Sequence, residues 1–387
     1  MKKNPNVILL IEATHSYGRA LLQGIAKYSY LHGPWSFYRE PEFYGHVPLH
    51  KNIVSQLKRQ NANGLIIREP TLGQIEELME LNIPMIISPN RLNPVIPTIV
   101  TNAELVGQMA ADHLLERGFK HFAYCGYTEM PWSMERFRSF SQRIAQQHYT
   151  VDSFFFAIRK SFFPNNKEQT RFVNWLKSLP RPVGMMTCND DMGRTVLEAC
   201  KSVNIPVPEQ IAVVGVDDDE LTCGLTEPPL SSVALHSEKV GYRAAELLDR
   251  LMQGEKMNGQ IIAHDPSHVV TRQSTDVIAV DDPDVSQALL FIRQHFKEPI
   301  TVDDVANKVA LSTRHLYKKF ITTLGHTVHQ EIKQARIEHI CKLLIESDLS
   351  IYQITLSLGF ASIEHISRYF RQEKGMSLQE FRKKFRR

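Results

Sequence analysis

A chain of 387 residues is too long for one typical core and implies two or three domains. With 43% hydrophobic and 22% charged residues it has the balance of a soluble globular protein, and the only early apolar run is cut short by Glu12, which argues against a signal peptide or membrane span. Its net charge of +3 is unevenly placed: from Pro283 onward there are 17 Lys+Arg and 11 Asp+Glu, against 28 and 31 in the rest, so a basic end follows a slightly acidic body and suits contact with nucleic acid.

From residue 7 to about 270, strand-like and helix-like patterns alternate. The strand-like runs are 7–11, 64–67, 85–88, 122–125, 153–157, 184–187 and 211–216. The helix-like runs are 18–30, 74–81, 103–117, 134–147, 167–178, 192–203 and 238–252. Strand-helix-strand alternation predicts a parallel sheet with covering helices, its strands short and apolar because both faces are buried. So long an alternation implies two lobes, and the cleft between them is the default binding site. Residues 272–276 end this pattern. Residues 277–284 carry aspartates and a proline and read as a linker.

The remainder, 285–387, is helical throughout. A helix over 284–296 stops before Pro299. Thr301-Val302-Asp303-Asp304 has the form of a capping box with aspartate in the glutamate place. A break at Ala310-Leu311 and an N-cap at Ser312 lead into a helix over 313–324, giving a first helix-turn-helix over about 301–324. A long helix, about 328–346, connects it to a second over about 350–374. There Ile351, Ile354 and Leu358, then Ile363, Ile366 and Phe370, recur at helical spacing on either side of Gly359-Phe360. A last amphipathic run ends in Arg382, Lys383, Lys384, Arg386 and Arg387.

Residues 350–382 resemble the second helix-turn-helix of AraC-type transcription factors. The carriers are Leu358-Gly359-Phe360, Ser362, Ser367, Tyr369-Phe370-Arg371, Gly375, Ser377 and Phe381-Arg382; Leu378 stands where that family usually starts its last helix with proline. Ile332, Ala335, Arg336, Ile340 and Leu343-Leu344 are similar to its connecting helix. The body resembles the sensor of LacI-type repressors, which has the periplasmic sugar-binding-protein fold. The resemblance is carried by Thr14-His15-Ser16-Tyr17-Gly18, by Cys188-Asn189-Asp190-Asp191-Met192-Gly193, by Val213-Val214-Gly215-Val216-Asp217-Asp218, and by Leu230-Ser231-Ser232-Val233 as the strand that returns to the first lobe. The DNA-reading headpiece that usually precedes such a sensor is expected to be absent, because the first strand follows Met1 almost directly.

Together these readings imply an α/β two-lobed sensor over 1–276, a linker over 277–284, and an all-α AraC-type DNA-binding domain over 285–387. Sugar recognition calls for groups that take two hydroxyls at once and an aromatic face for the ring. Asp217 ends a buried strand, Asn189 opens a helix, Trp132 and Arg136 share a helix face at i, i+4, and Tyr17 lies beside His15 in the first strand-helix loop. In LacI-type sensors the arginine matching Arg136 binds ligand hydroxyls; the motif continues here as Ser139 and Phe140, with serine in place of glycine. On the first recognition helix Leu316 and Phe320 should face inward, and the resemblance places Arg314, Tyr317 and Lys318 at base-reading positions. On the second, Ile363, Ile366 and Phe370 should face inward, leaving His365 and Arg368 for bases, with Arg371 and Lys374 for phosphates.

The acidic run Asp217-Asp218-Asp219-Glu220 points its residues in different directions and reads as no metal site. Five cysteines without C-x-x-C spacing fit a reducing cytosol. No P-loop, G-x-S-x-G or H-E-x-x-H appears, so an enzyme working in the cleft would lack its signature. The architecture resembles that of xylose-responsive regulators. It implies a cytoplasmic, nucleoid-associated homodimeric activator with D-xylose as effector, double-stranded DNA and RNA polymerase as partners, and no cofactor. The alternative is the same build sensing another sugar or small polar metabolite.

Overall fold

The computed structural model describes residues 4–39, 58–68, 72–88, 95–157, 166–255, 259, 261–277, 279–280 and 282–385. Arg386 and Arg387 of the basic tail, and Ile278 and Asp281 of the expected linker, lie outside them. The chain forms two compact units, Met1–Asp276 and Val277–Arg387.

The first unit holds two six-stranded sheets. One contains β1 (Asn6–Leu10), β2 (Ser36–Arg39), β3 (Gly64–Arg68), β4 (Met85–Ser88), β5 (Thr98–Thr101) and β11 (Ile261–His264), all parallel, in the order β11-β5-β4-β3-β1-β2. The other contains β6 (His121–Tyr127), β7 (Val151–Phe156), β8 (Val183–Thr187), β9 (Ile211–Asp217), β10 (Ser231–Ala234) and β12 (Val269–Val270) in the order β12-β10-β9-β8-β6-β7, with only the β12–β10 pair antiparallel. Val7, Ile8, Leu65 and Ile67, and Ile211 to Val214, are fully buried, as doubly covered strands require.

Among the described residues the helices are α1 (Ser16–His32), α2 (Leu72–Met79), α3 (Ala103–Leu115), α4 (Pro131–Ala145), α5 (Asn166–Ser178), α6 (Asp190–Ser202), α7 (Glu220–Leu225) and α8 (Ser237–Met252). α1 and α8 cross backbone to backbone: a Cβ on Gly24 would strike the Glu238 carbonyl, and one on Gly241 the Leu21 carbonyl. The chain passes between lobes three times, from β5 into α3, from β10 into α8, and from β11 into β12. β10 itself belongs to the second sheet, so the return expected of 230–233 is made just after it, at Leu235-His236. Strands β2, β5, β11 and β12 and helix α7 have no counterpart among the predicted runs; β2 and β11 are edge strands with largely open faces, which blur the apolar signal.

The second unit contains α9 (Pro283–His295), α10 (Val302–Lys308), α11 (Thr313–Leu324), α12 (Val328–Glu346), α13 (Ile351–Ser357), α14 (Ile363–Lys374) and α15 (Leu378–Phe385). Capping boxes open α10 at Thr301/Asp304, α12 at Thr327/Gln330 and α13 at Ser350/Gln353. Two separate cores form. Val280, Val285, Leu289, Ile292, Val305, Leu316, Phe320 and Val328 make one; Ile340, Leu344, Ile354, Leu358, Ile366, Phe370 and Leu378 make the other. α12 supplies both, with Ile332 and Ala335 in the first and Ile337 and Ile340 in the second, and so acts as their shared beam. Arg336 braces the second half: it donates to the Leu358 carbonyl, and its guanidinium lies 4.4 Å from the Phe360 ring centroid.

Candidate functional site

In the first unit the groups that could hold a polar ligand gather at the C-terminal ends of strands, as doubly wound sheets dictate. Asp217 is the last residue of β9. Arg136, on the first turns of α4, is buried; it donates to the Cys188 carbonyl and its Nη2 stands 3.7 Å from Asp217 Oδ1. Trp132, one turn earlier, lies beneath it, with the guanidinium 5.1 Å from the ring, and meets Tyr127 edge-on. Arg136 Nε and Trp132 Nε1 are buried without a hydrogen-bond partner among the described residues. Open buried donors of this kind suit the oxygens of a polyol.

Asn189 is the N-cap of α6: its Oδ1 accepts from Met192 N at 3.0 Å, which leaves its NH2 group to offer a ligand. Burial pushes the Asp217 carboxyl up to about 6, opposed by the cations Arg136 and Arg68 and helped by Asp191. Its neighbour Asp190 is driven well above the carboxylate range, by burial first and then by Asp217.

The first lobe brings Tyr17, on the opening turn of α1, under the Arg68 guanidinium, 4.9 Å from the ring centroid. Arg68 ends β3 and pairs with Glu12. Sequence reasoning missed both Arg68 and Glu12. The available signal was a charge closing a buried apolar strand, the same signal that marks Asp217. Among the described residues two ion pairs span the lobes: His15 Nδ1 to Asp191 Oδ2 at 3.0 Å, and Arg19 Nη2 to Asp219 Oδ2 at 2.7 Å. The acidic run thus divides its tasks. Asp217 meets Arg136, Asp218 meets Arg272 at 2.7 Å, and Asp219 meets Arg19 while capping α7.

In the second unit Leu316 and Phe320 of α11 are fully buried, and Arg314, Tyr317 and Lys318 are exposed on the other side. On α14, Ile366 and Phe370 are buried while His365, Arg368 and Arg371 are exposed and Lys374 is half-buried. Ile363 departs from the expectation: as the first residue of α14 it is 40% exposed. It starts the helix one turn before the core-facing positions and lines a groove of about 690 Å³ with Ile351, Ser367, Arg368, Arg371 and Gln372. His365 leans edge-on against Phe360, which orients its ring from the turn between the helices.

Residues 111–275 match the periplasmic binding protein-like domain, and residues 305–384 match a helix-turn-helix domain. The xylose operon regulatory protein of Escherichia coli (strain K12) is 31% identical over 98% of this chain and 97% of its own length. That of Haemophilus influenzae is 32% identical over 97% of each. The chain belongs to the xylose operon regulatory protein family. Within that family, a solved structure described as the xylose-binding transcription activator xylR is similar over the whole of both chains, with a TM-score of 0.77 at 29% identity. The xylose operon regulatory protein match runs across both units, so the order of sensor-like body and helix-turn-helix end is the family's own.

Proposed function

We propose that this chain is a transcription activator that binds D-xylose in its two-lobed unit and double-stranded DNA with its helical unit, and that it is not an enzyme. The observation that carries the reading is the full-length match to xylose operon regulatory proteins, with both units in the same order. The cleft chemistry supports it. Arg136 and Asn189 offer donors, Asp217 offers an acceptor, and Trp132 and Tyr17 offer aromatic faces. In this reading residues 1–276 are the sensor, 277–284 the linker and 285–387 the DNA-binding domain.

A sugar bridging the lobes favours the closed cleft only by its difference in affinity for the two states. Closure re-aims two recognition helices, α11 with Arg314, Tyr317 and Lys318, and α14 with His365 and Arg368. Arg371 and Lys374 meet phosphates. A beam of 19 residues is about 28 Å long, which suits two adjacent major-groove segments roughly 34 Å apart. A cytoplasmic homodimer that engages RNA polymerase completes the proposal. The test is titration calorimetry of the full chain against a panel of pentoses and hexoses. D-xylose should bind at least about tenfold more tightly than the others, a difference of about 1.4 kcal/mol; preference for another ligand, or turnover of the sugar, overturns the reading.

A further inference from the structure

The turn that carries Asp217 is held in an unusual backbone shape. Asp217 has φ 112° and Asp218 φ 56°, in the left-handed region that side chains avoid, so neighbouring contacts must keep the turn there. Ser232 Oγ accepts from Asp218 N at 3.0 Å and donates to the buried Asp190 Oδ1 at 2.6 Å, while Asp190 Oδ2 accepts from Asp219 N at 2.8 Å. From the other side Arg272 grips Asp218 Oδ1 through Nη2 at 2.7 Å and donates through Nη1 to the Leu230 carbonyl at 2.9 Å.

Arg272 opens the last segment of the first unit. Behind it, Ser274 and Thr275 are fully buried in a single 3₁₀ turn, Gln273–Thr275. Ser274 Oγ donates to Val213 O at 2.6 Å and accepts from Ser231 N at 2.8 Å. Thr275 Oγ1 lies 2.7 Å from both Ser231 Oγ and His113 Nε2, and its carbonyl accepts from Arg117 Nε at 2.8 Å. Burial, with Arg117 adding to it, pushes His113 down to about 3, so the ring stays neutral at neutral pH. The segment by which the chain leaves the first unit is thus fastened to β9 at Val213, the strand whose other end presents Asp217.

We propose that Arg272 is a positioning residue: by gripping Asp218 it sets the turn that aims Asp217 at the ligand, and it couples occupancy of the cleft to the exit segment 273–276. This deepens the sugar-sensor reading of the cleft and rests on it. Asp217 and Arg272 are joined through one residue and one ion pair, so a ligand that pulls on Asp217 shifts Asp218 and hence Arg272. Loss of the ion pair breaks that link and slackens the aim of Asp217, while Arg136, Asn189 and Trp132 keep their own supports.

The test is hydrogen–deuterium exchange and titration calorimetry on the full chain, with and without D-xylose, for the unchanged protein and for Arg272→Gln, Asp218→Asn and Arg272→Lys. The amides of Ser274, Thr275 and Asp276 are hydrogen-bonded to Pro229, Arg272 and Gln273, so their exchange is readable. D-xylose is expected to slow them by about fivefold or more in the unchanged protein and in Arg272→Lys, which keeps the charge. It should leave them unaltered in Arg272→Gln and Asp218→Asn, where the sugar still binds with affinity reduced by about tenfold or less. Equal slowing in all four proteins overturns the coupling. If calorimetry detects no D-xylose binding by the unchanged protein, the sugar reading falls and the coupling is judged without ligand. Asp217→Asn must then alter exchange at 274–276 in the unchanged background and not in Arg272→Gln; equal changes in both overturn it.

Discussion

Asp217 sits where its charge is costly. Its folded value of about 6 lies above the ordinary carboxylate value, with burial as the main cause. The folded state therefore holds the proton more tightly than the unfolded chain. This group's contribution to stability is full at acid pH and is lost as pH rises from about 4 through about 6. Sugar binding runs the other way, because the ionised carboxylate is the better acceptor: D-xylose affinity should fall as pH drops through about 6, measured by calorimetry between pH 5 and 8. Asp217→Asn should then weaken sugar binding by about tenfold or more while raising stability at pH 7.5 by on the order of 1 kcal/mol, read from thermal unfolding. Arg136→Ala should lose about 2–3 kcal/mol of sugar affinity, since it removes charged donors and leaves Asp217 buried without its nearest cation. The placing of Asp217 at a strand end and of Arg136 near a helix start was legible from the alternation of elements. Arg68 closes a buried strand as Asp217 does and carried the same signal, but its place over Tyr17 is set only by the fold.

The two helix-turn-helix elements differ at the turn in an instructive way. Gly359 has φ 64°, and its counterpart in the first element, Ala310, has φ 53°. Both take the left-handed conformation, which costs an L side chain about 1–2 kcal/mol. Gly359→Ala should destabilise the second element by about 1 kcal/mol, and Ala310→Gly should stabilise the first by about 0.5 kcal/mol once the glycine's greater unfolded freedom is included; denaturant unfolding of the full chain checks both. At DNA, Arg368→Ala should lose about 1–3 kcal/mol on the protein's own site if that side chain reads a base, whereas Lys374→Ala should weaken all sequences alike and reduce the salt slope by about 1. Helix starts in the second unit were readable to within a residue or two because caps are local: Thr301 and Ser350 take the backbone N–H three residues on. Ile363 was misjudged because periodicity alone does not say that the first residue of a helix lies outside the core it leads into.

Each unit of the whole molecule has its own cores, so heating is expected to give two transitions. D-xylose at about a hundred times its dissociation constant should stabilise residues 1–276 by about 2.7 kcal/mol through mass action. Calorimetric scans should show only that transition moving, in proportion to the logarithm of sugar concentration. What the sequence by itself determined was everything written in neighbouring residues: strand-helix alternation, helix caps, the glycine turn, the outward Arg314 and Arg368, and the two-part order of the chain. These follow from periodicity and hydrogen bonding within a few residues. What only the tertiary structure decided was which distant residues meet: Arg68 on Glu12, His15 on Asp191, Arg19 on Asp219, and Arg272 on Asp218. Those partners lie 54 to 200 residues apart along the chain, brought together by parallel strands whose C-terminal ends converge, and no local pattern records that convergence.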